Sequence, residues 1–420
     1  MRNPRRSGPS DQVTVVLKLG TSSIVSETTL VPQLSVLAGV AETIVALRAA
    51  GHRVVLVSSG AIGMGLRRMG LSAKPKALAD KQALAAVGQG RLIALYDSLF
   101  AELGQPIAQV LLTRNDIADR SRYLNATKTL ASLLAMGVVP IVNENDTIAV
   151  QEIKFGDNDT LSAITAGMVA ADYLFLMTDV DCLYTANPRK DPTAKAVRVV
   201  RDIEGVRKVV STATLGSSLG TGGMETKLIA AELASGAGVA TVITHAAKPS
   251  NMLAIIAASD ALLLSGDEGG LPVDLAASGE LPPRLPLHTL FVPRLTPLPD
   301  RRWWILHGLA PRGRIVIDEG AYRAVLRADA ADVEGNGGRL LAAGIVAVDG
   351  TFAAGQSVRI AVVHDGQEVE VGRGMANYNW QEIDRVKGMR SSQIEATLGY
   401  IESEHVADSI TTIRSGSSAV

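Results

Sequence analysis

Six runs of Val, Ile and Leu, each closed by a small or polar residue and separated by amphipathic stretches, restrict what this chain can fold into more than any other feature. They are VTVVLKLG (13–20), HRVVLVSSG (52–60), PIAQVLLTR (106–114), VVPIVNEND (138–146), DYLFLMTDV (172–180) and VATVITH (239–245). Runs that are apolar on both faces are what parallel strands look like when helices cover them on either side. The segments between read as helices. LSVLAGVAETIVALRAAG (34–51) ends at Gly51, suited to the position just past a helix end, and DKQALAAVGQGRLIALYDSLFAELG (80–104) is another. Alternating strands and helices imply right-handed βαβ units, so the expected class is α/β, a three-layer αβα sandwich around a mainly parallel sheet.

Polar residues collect at the carboxyl ends of these strands: Lys18 with Gly20, Thr21 and Ser22; Ser58, Ser59 and Gly60; Asn143 to Asp146; Thr178 and Asp179. Ligands of open α/β sheets bind at that edge. One such cluster decides little, since any α/β protein has polar strand ends. Four on one edge point to a single crevice.

Composition narrows the partners. With 41 basic and 42 acidic residues the formal charge is -1, so no overall basic field argues for a nucleic-acid or membrane partner. The single cysteine, Cys182, excludes an intrachain disulfide framework and a multi-cysteine zinc site, and fits a reducing compartment. The six histidines make no close metal-binding pair. The longest apolar stretch, 251–264, is short and interrupted by Asp260, so no membrane span is expected. MRNPRRSGPSD lacks a following apolar segment and reads as a frayed tail over 1–12, with a cytoplasmic location expected.

The α/β pattern covers 13–265. The Gly- and Pro-rich stretch 266–286 reads as a linker, and 287–420 as a small, mostly-β barrel-like domain in which RRWWILHG, GRIVIDEGA, GIVAVDGTFAAGQSVRIAVV and QEVEVGRGMANY supply short strands.

No Walker-type phosphate loop exists, and GAIGMGLRRMG fails the dinucleotide spacing because Arg68 stands at the third glycine position. Phosphate chemistry has other candidates. Lys18, at the end of the first buried strand, is costly there unless its ammonium meets an anion or snorkels to the rim. In LGTGGMETK (219–227) a double glycine leads into a helix whose first turn carries Lys227. Free N–H groups at a helix start plus a lysine make an anion site, although a glycine-rich loop before a helix is also common. Between Asn143 and Asp159 carboxylates and amides crowd together. They read either as an acidic surface turn or as groups that hold an ammonium, a carboxylate or Mg²⁺.

In order, VVLKLGTS (15–22), VSSGAI (57–62), LLTR (111–114), VNEND (142–146), GDNDTLSA (156–163), TDVDCLYTANP (178–188) and TGGMETK (221–227) resemble the glutamate 5-kinases of the amino-acid kinase superfamily. Cys182 stands where that family commonly has glycine. RWWILHGLAPRGRIVIDEGA (302–321) and Asn377-Tyr378 resemble the PUA domain found in many of its members. The resemblance implies ATP-dependent phosphorylation of the side-chain carboxylate of glutamate, the first step of proline biosynthesis, with Mg²⁺ on the ATP phosphates. It implies catalytic roles for Lys18, Lys227 and Asp159, the last orienting the two lysines, and substrate contacts from Ser59, Gly60, Asp146 and Asn158. Nucleotide contacts fall to Lys18, Thr178, Asp179, Thr221, Gly222, Gly223, Met224, Glu225, Thr226 and Lys227. It further implies a dimer or tetramer, and inhibition by proline through a loop within 116–152. A glutamate carboxylate, with an ordinary pKa of about 4.3, is already ionised at neutral pH, so no general base is needed.

Two other readings stay open at this level. One is a sibling kinase acting on aspartate, N-acetylglutamate, a carbamate or UMP. The other is an RNA-binding protein, in which Trp303 and Trp304 would stack bases amid the arginines of 281–330. Intact Lys18, Asp159 and Lys227 argue against the second. In the expected picture one tryptophan is buried, the arginines are solvated or pack on the kinase domain, and RNA binding is not expected.

Overall fold

A strand buried along its whole length, β1 (Thr14–Leu19), organises the first part of the chain. The computed structural model describes residues 12–26, 28–149, 158–188, 191–210, 223–264, 285–294, 297–298, 300–331, 338–364 and 366–413. The chain divides into two units, Met1–Pro297 and Leu298–Val420.

After β1 come α1 (Thr21–Ile24), α2 (Leu34–Ala49), β2 (Arg53–Ser58), α3 (Ala61–Arg68), α4 (Leu78–Glu102) and β3 (Ile107–Leu112). Then follow α5 (Arg114–Ala118), α6 (Arg120–Ala135), β4 (Val139–Glu144), α7 (Asn158–Met168) and β5 (Tyr173–Thr178). Three two-residue strands, β6 (Leu183–Tyr184), β7 (Ala196–Val197) and β8 (Val199–Val200), precede α8 (Ile203–Val209). The unit closes with α9 (Met224–Gly236), β9 (Ala240–His245), α10 (Asn251–Leu264) and β10 (Thr289–Phe291). All six apolar runs are strands, joined in one eight-stranded sheet of order β3-β4-β2-β1-β5-β9-β10-β8. The first five pairings in that order are parallel. The α2 helix ends at Ala49, Ala50 caps it, and Gly51 follows with φ +88°, the left-handed turn its sequence implied.

Strand periodicity decides where the site lies. Val15, Leu17 and Leu19 face a core shared with Leu37 and Ile44 of α2, Phe100 of α4 and Ile255 of α10. Lys18, one residue out of phase, therefore points to the opposite face, where α7 packs on β1 and on α9. Because β2 and β5 flank β1 on opposite sides, the chain reverses its winding at β1, and the carboxyl ends open a crevice there.

The second domain was expected from residue 287. Instead β10 pairs antiparallel with β9 and parallel with β8, so the first unit continues to Pro297. Leu290 and Phe291 are buried, and the Thr289 hydroxyl donates to the Val197 carbonyl (2.6 Å) while accepting from the Leu183 N–H (2.8 Å). Residues 1–11 of the expected 1–12 tail and 266–284 of the expected 266–286 linker lie outside the described residues.

The second unit holds a six-stranded sheet curled around its own core, with Ile315, Ile360, Tyr378 and Ile410 among the buried residues. RRWWILHG, expected as a strand, is helical: a turn of α-helix over Asp300–Trp303 runs into a π-helical turn, Trp304–Gly308. Residues 302–306 are all buried, and a short continuously buried run has no periodicity to separate strand from helix. Both Trp303 and Trp304 are buried, so neither ring is presented for base stacking.

Candidate active site

Three elements distant in sequence deliver the central charges. Asp159, at the first turn of α7, is fully buried. Its Oδ1 lies 2.5 Å from Lys18 Nζ of β1, and its Oδ2 lies 3.3 Å from Lys227 Nζ of α9. The Thr226 hydroxyl donates to the same Oδ2 at 2.7 Å. Although burial alone would raise the Asp159 pKa, the two ammonium groups and the hydroxyl hold the carboxyl well below the usual carboxylate range. Two cations on one carboxylate leave a net positive charge at the sheet edge, close to the N-termini of α7 and α9, which add their own positive potential.

The glycine-rich approach to α9 is tied to this centre. Gly223 caps α9 in an extended conformation, its N–H donating to Thr226 Oγ1 at 3.0 Å. Gly20 follows β1, and a Cβ there would stand 3.5 Å from Lys18 Nζ, so the backbone comes close to the ammonium. Met224 is half-buried. The Glu225 carboxylate is exposed and pairs with Arg207 of α8 at 3.5 Å. Thr178, at the end of β5, donates its hydroxyl to Asp179 at 3.2 Å, and Asp179 is exposed. Thr221, Gly222 and residues 150–152 of the expected proline loop lie outside the described residues.

Beside the cations is a second polar group. Asn158, adjacent to Asp159, donates its Nδ2 to Ser59 Oγ at 2.8 Å, and its Oδ1 is buried with no hydrogen-bond partner among the described residues. Gly60 turns the chain from β2 into α3 with φ +99°, a region glycine enters without strain. Asp146, just past β4, is half-buried, and its burial raises the carboxyl pKa, an effect the nearby Lys74 ammonium opposes. Burial and the neighbouring Lys81 lower the pKa of Lys74, while Asp146 acts the other way.

Sequence reading missed three contributors: Lys74 beside Asp146, the Thr226 hydroxyl as a direct partner of Asp159, and Gln89 of α4, which accepts from Asn143 Nδ2 at 2.8 Å. Only the glycines flanking Gln89, unusual inside a helix, carried a signal.

Residues 13–245 match the amino acid kinase family, and residues 313–398 match the PUA domain. The chain belongs to the amino acid kinase family. It is 51% identical over 406 residues to a protein of Schizosaccharomyces pombe named probable glutamate 5-kinase, spanning 96% of this chain and 94% of that one. The glutamate 5-kinases of Rippkaea orientalis and Synechocystis sp. are 48% and 46% identical, over 94% and 92% of this chain and 96% and 94% of theirs. Within the family, the chain stands among the glutamate 5-kinases. Among the described residues no helix is long and apolar enough to cross a membrane.

Proposed function

We propose that this chain transfers the γ-phosphoryl group of MgATP to the side-chain carboxylate of L-glutamate, yielding ADP and L-glutamyl 5-phosphate. One observation carries the reading: the lysines of β1 and α9 share the two oxygens of Asp159, and the adjacent Asn158 reaches across to Ser59. A phosphoryl-holding centre and an amide-lined acceptor pocket thus meet at the start of one helix. The names of the relatives agree with it.

An oxygen of the glutamate side chain attacks the γ-phosphorus as the bond to the β,γ-bridging oxygen breaks, and ADP leaves with that electron pair. The nucleophile is an anion already, so the difficulty is bringing it against a polyphosphate. Lys18 and Lys227 offset the repulsion and take up charge on the transferring oxygens, while Asp159 fixes where both ammonium groups stand. The loop before α9 supplies N–H groups for the nucleotide phosphates. Mg²⁺ enters with the nucleotide as MgATP. Among the described residues no three His, Cys, Asp or Glu are grouped to hold a metal.

On the acceptor side, Asp146 pairs with the substrate ammonium, Asn143 and Ser59 hold its carboxylate, and Asn158 Oδ1, without a hydrogen-bond partner among the described residues, accepts an N–H. Asp146→Ala is expected to raise KM for glutamate about tenfold or more, with KM for MgATP nearly unchanged. Steady-state kinetics with each substrate varied in turn checks this, and a shift confined to MgATP would reassign Asp146.

The reading as a whole is tested by an ATP- and glutamate-dependent hydroxamate assay, with aspartate and N-acetylglutamate as rival acceptors. Turnover confined to glutamate is expected; preference for either rival overturns the substrate assignment. Proline added to the same assay is expected to compete with glutamate, and the oligomer, measured by light scattering, to be a dimer or tetramer.

A further inference from the structure

The middle of α4 touches the acceptor side of the site through two consecutive residues. At Gly88 the helix lies against α3 so closely that a Cβ would come within 1.7 Å of the Ala61 carbonyl oxygen and 2.5 Å of the Gly65 nitrogen. A Cβ on Gly65 would in turn meet the Leu84 carbonyl oxygen at 2.0 Å. These are backbone atoms, so no side-chain adjustment relieves such contacts. Glycine on both helices is what lets them cross here. Ala61 follows the Ser59-Gly60 turn directly, so α4 braces that turn from behind.

Gln89 extends the brace to the next strand. Its Oε1 accepts from Asn143 Nδ2 at 2.8 Å, and Asn143 Oδ1 accepts from the Glu144 N–H at 2.9 Å. Asn143 is 2% exposed, at the carboxyl end of β4. With both contacts in place its amide has one orientation, since a flip would set donor against donor and acceptor against acceptor. An amide nitrogen carries two hydrogens, and Gln89 engages one. Among the described residues nothing takes the other.

We propose that Gln89 is a positioning residue for the amino-acid substrate: anchored on a helix that glycine contacts hold against the Ser59 turn, it fixes the Asn143 amide with an N–H turned to the substrate carboxylate. The assignment rests on the acceptor-pocket reading given above and makes Gln89 act only through Asn143.

The test uses the full-length chain and steady-state kinetics with glutamate and MgATP varied separately. Gln89→Leu, which cannot accept a hydrogen bond, is expected to raise KM for glutamate about tenfold and to leave KM for MgATP within about twofold. Gln89→Glu, which still accepts, is expected to stay within about threefold of wild type. In an Asn143→Ala background, Gln89→Leu is expected to add nothing further, as befits residues acting as one unit. Should Gln89→Leu fail to fold, Gln89→Asn, whose acceptor is drawn back by one methylene, takes its place. An unchanged glutamate KM, equal shifts in both KM values, a Gln89→Glu variant as impaired as Gln89→Leu, or full additivity with Asn143→Ala would each overturn the proposal. Wild-type selectivity among acceptors tests the parent reading separately, and the variant ratios are taken with whichever acceptor the wild type phosphorylates.

Discussion

Asp159→Ala is expected to lower kcat on the order of 1000-fold and to destabilise the protein by about 3–5 kcal/mol. The carboxylate is fully buried and separates two ammonium groups. Without it, Lys18 and Lys227 repel across a poorly solvated gap, and neither keeps its aim. The Thr226 hydroxyl loses a partner as well. Thermal unfolding checks the stability arm, and its pH dependence has a definite sign. The folded-state pKa of Asp159 is depressed, so its stabilising contribution is full above the unfolded value of about 3.9 and is lost as pH falls through the folded one. Wild type and variant therefore begin to converge in stability only as the pH falls below about 4 toward the folded-state pKa. A variant as stable as wild type at neutral pH, with lysines still catalytically competent, would remove Asp159 from the centre of the account.

Lys227→Ala is expected to cost about 100-fold or more in kcat while leaving the fold intact, because Asp159 keeps Lys18 at 2.5 Å. Removing one partner here lowers charge instead of stranding it. The loss belongs in kcat more than in KM for MgATP, since the interaction strengthens as charge develops on the transferring oxygens. Single-turnover measurements at saturating nucleotide separate the two. Equal kcat in a folded variant would refute the assignment.

Much of the fold could be read from the chain because β1, β2, β4, β5 and β9 are buried on both faces, which writes continuous apolar runs. The polar residues closing those runs announced the sheet edge. What stayed hidden were contacts without a period. The family resemblance implied that Asp159 orients both lysines, but nothing in the spacing of Lys18, Asp159 and Lys227 says that one carboxylate serves both. That follows from α7 packing on β1 and on α9, on the face toward which Lys18 points. Gln89 sits in an ordinary-looking helix, and its meaning depends on Asn143, on a different element. RRWWILHG misled because burial of five successive residues erases the distinction between periods of 2 and 3.6.

The three-residue strand β10 has a practical corollary for dissecting the chain. An excision made at the apparent linker would discard Thr289–Phe291, strip β8 and β9 of a shared neighbour and bare a row of unpaired amides along β9. A catalytic fragment ending near residue 265 is expected to aggregate, whereas one carried through Pro297 keeps the sheet whole. Size-exclusion profiles of the two fragments would tell them apart.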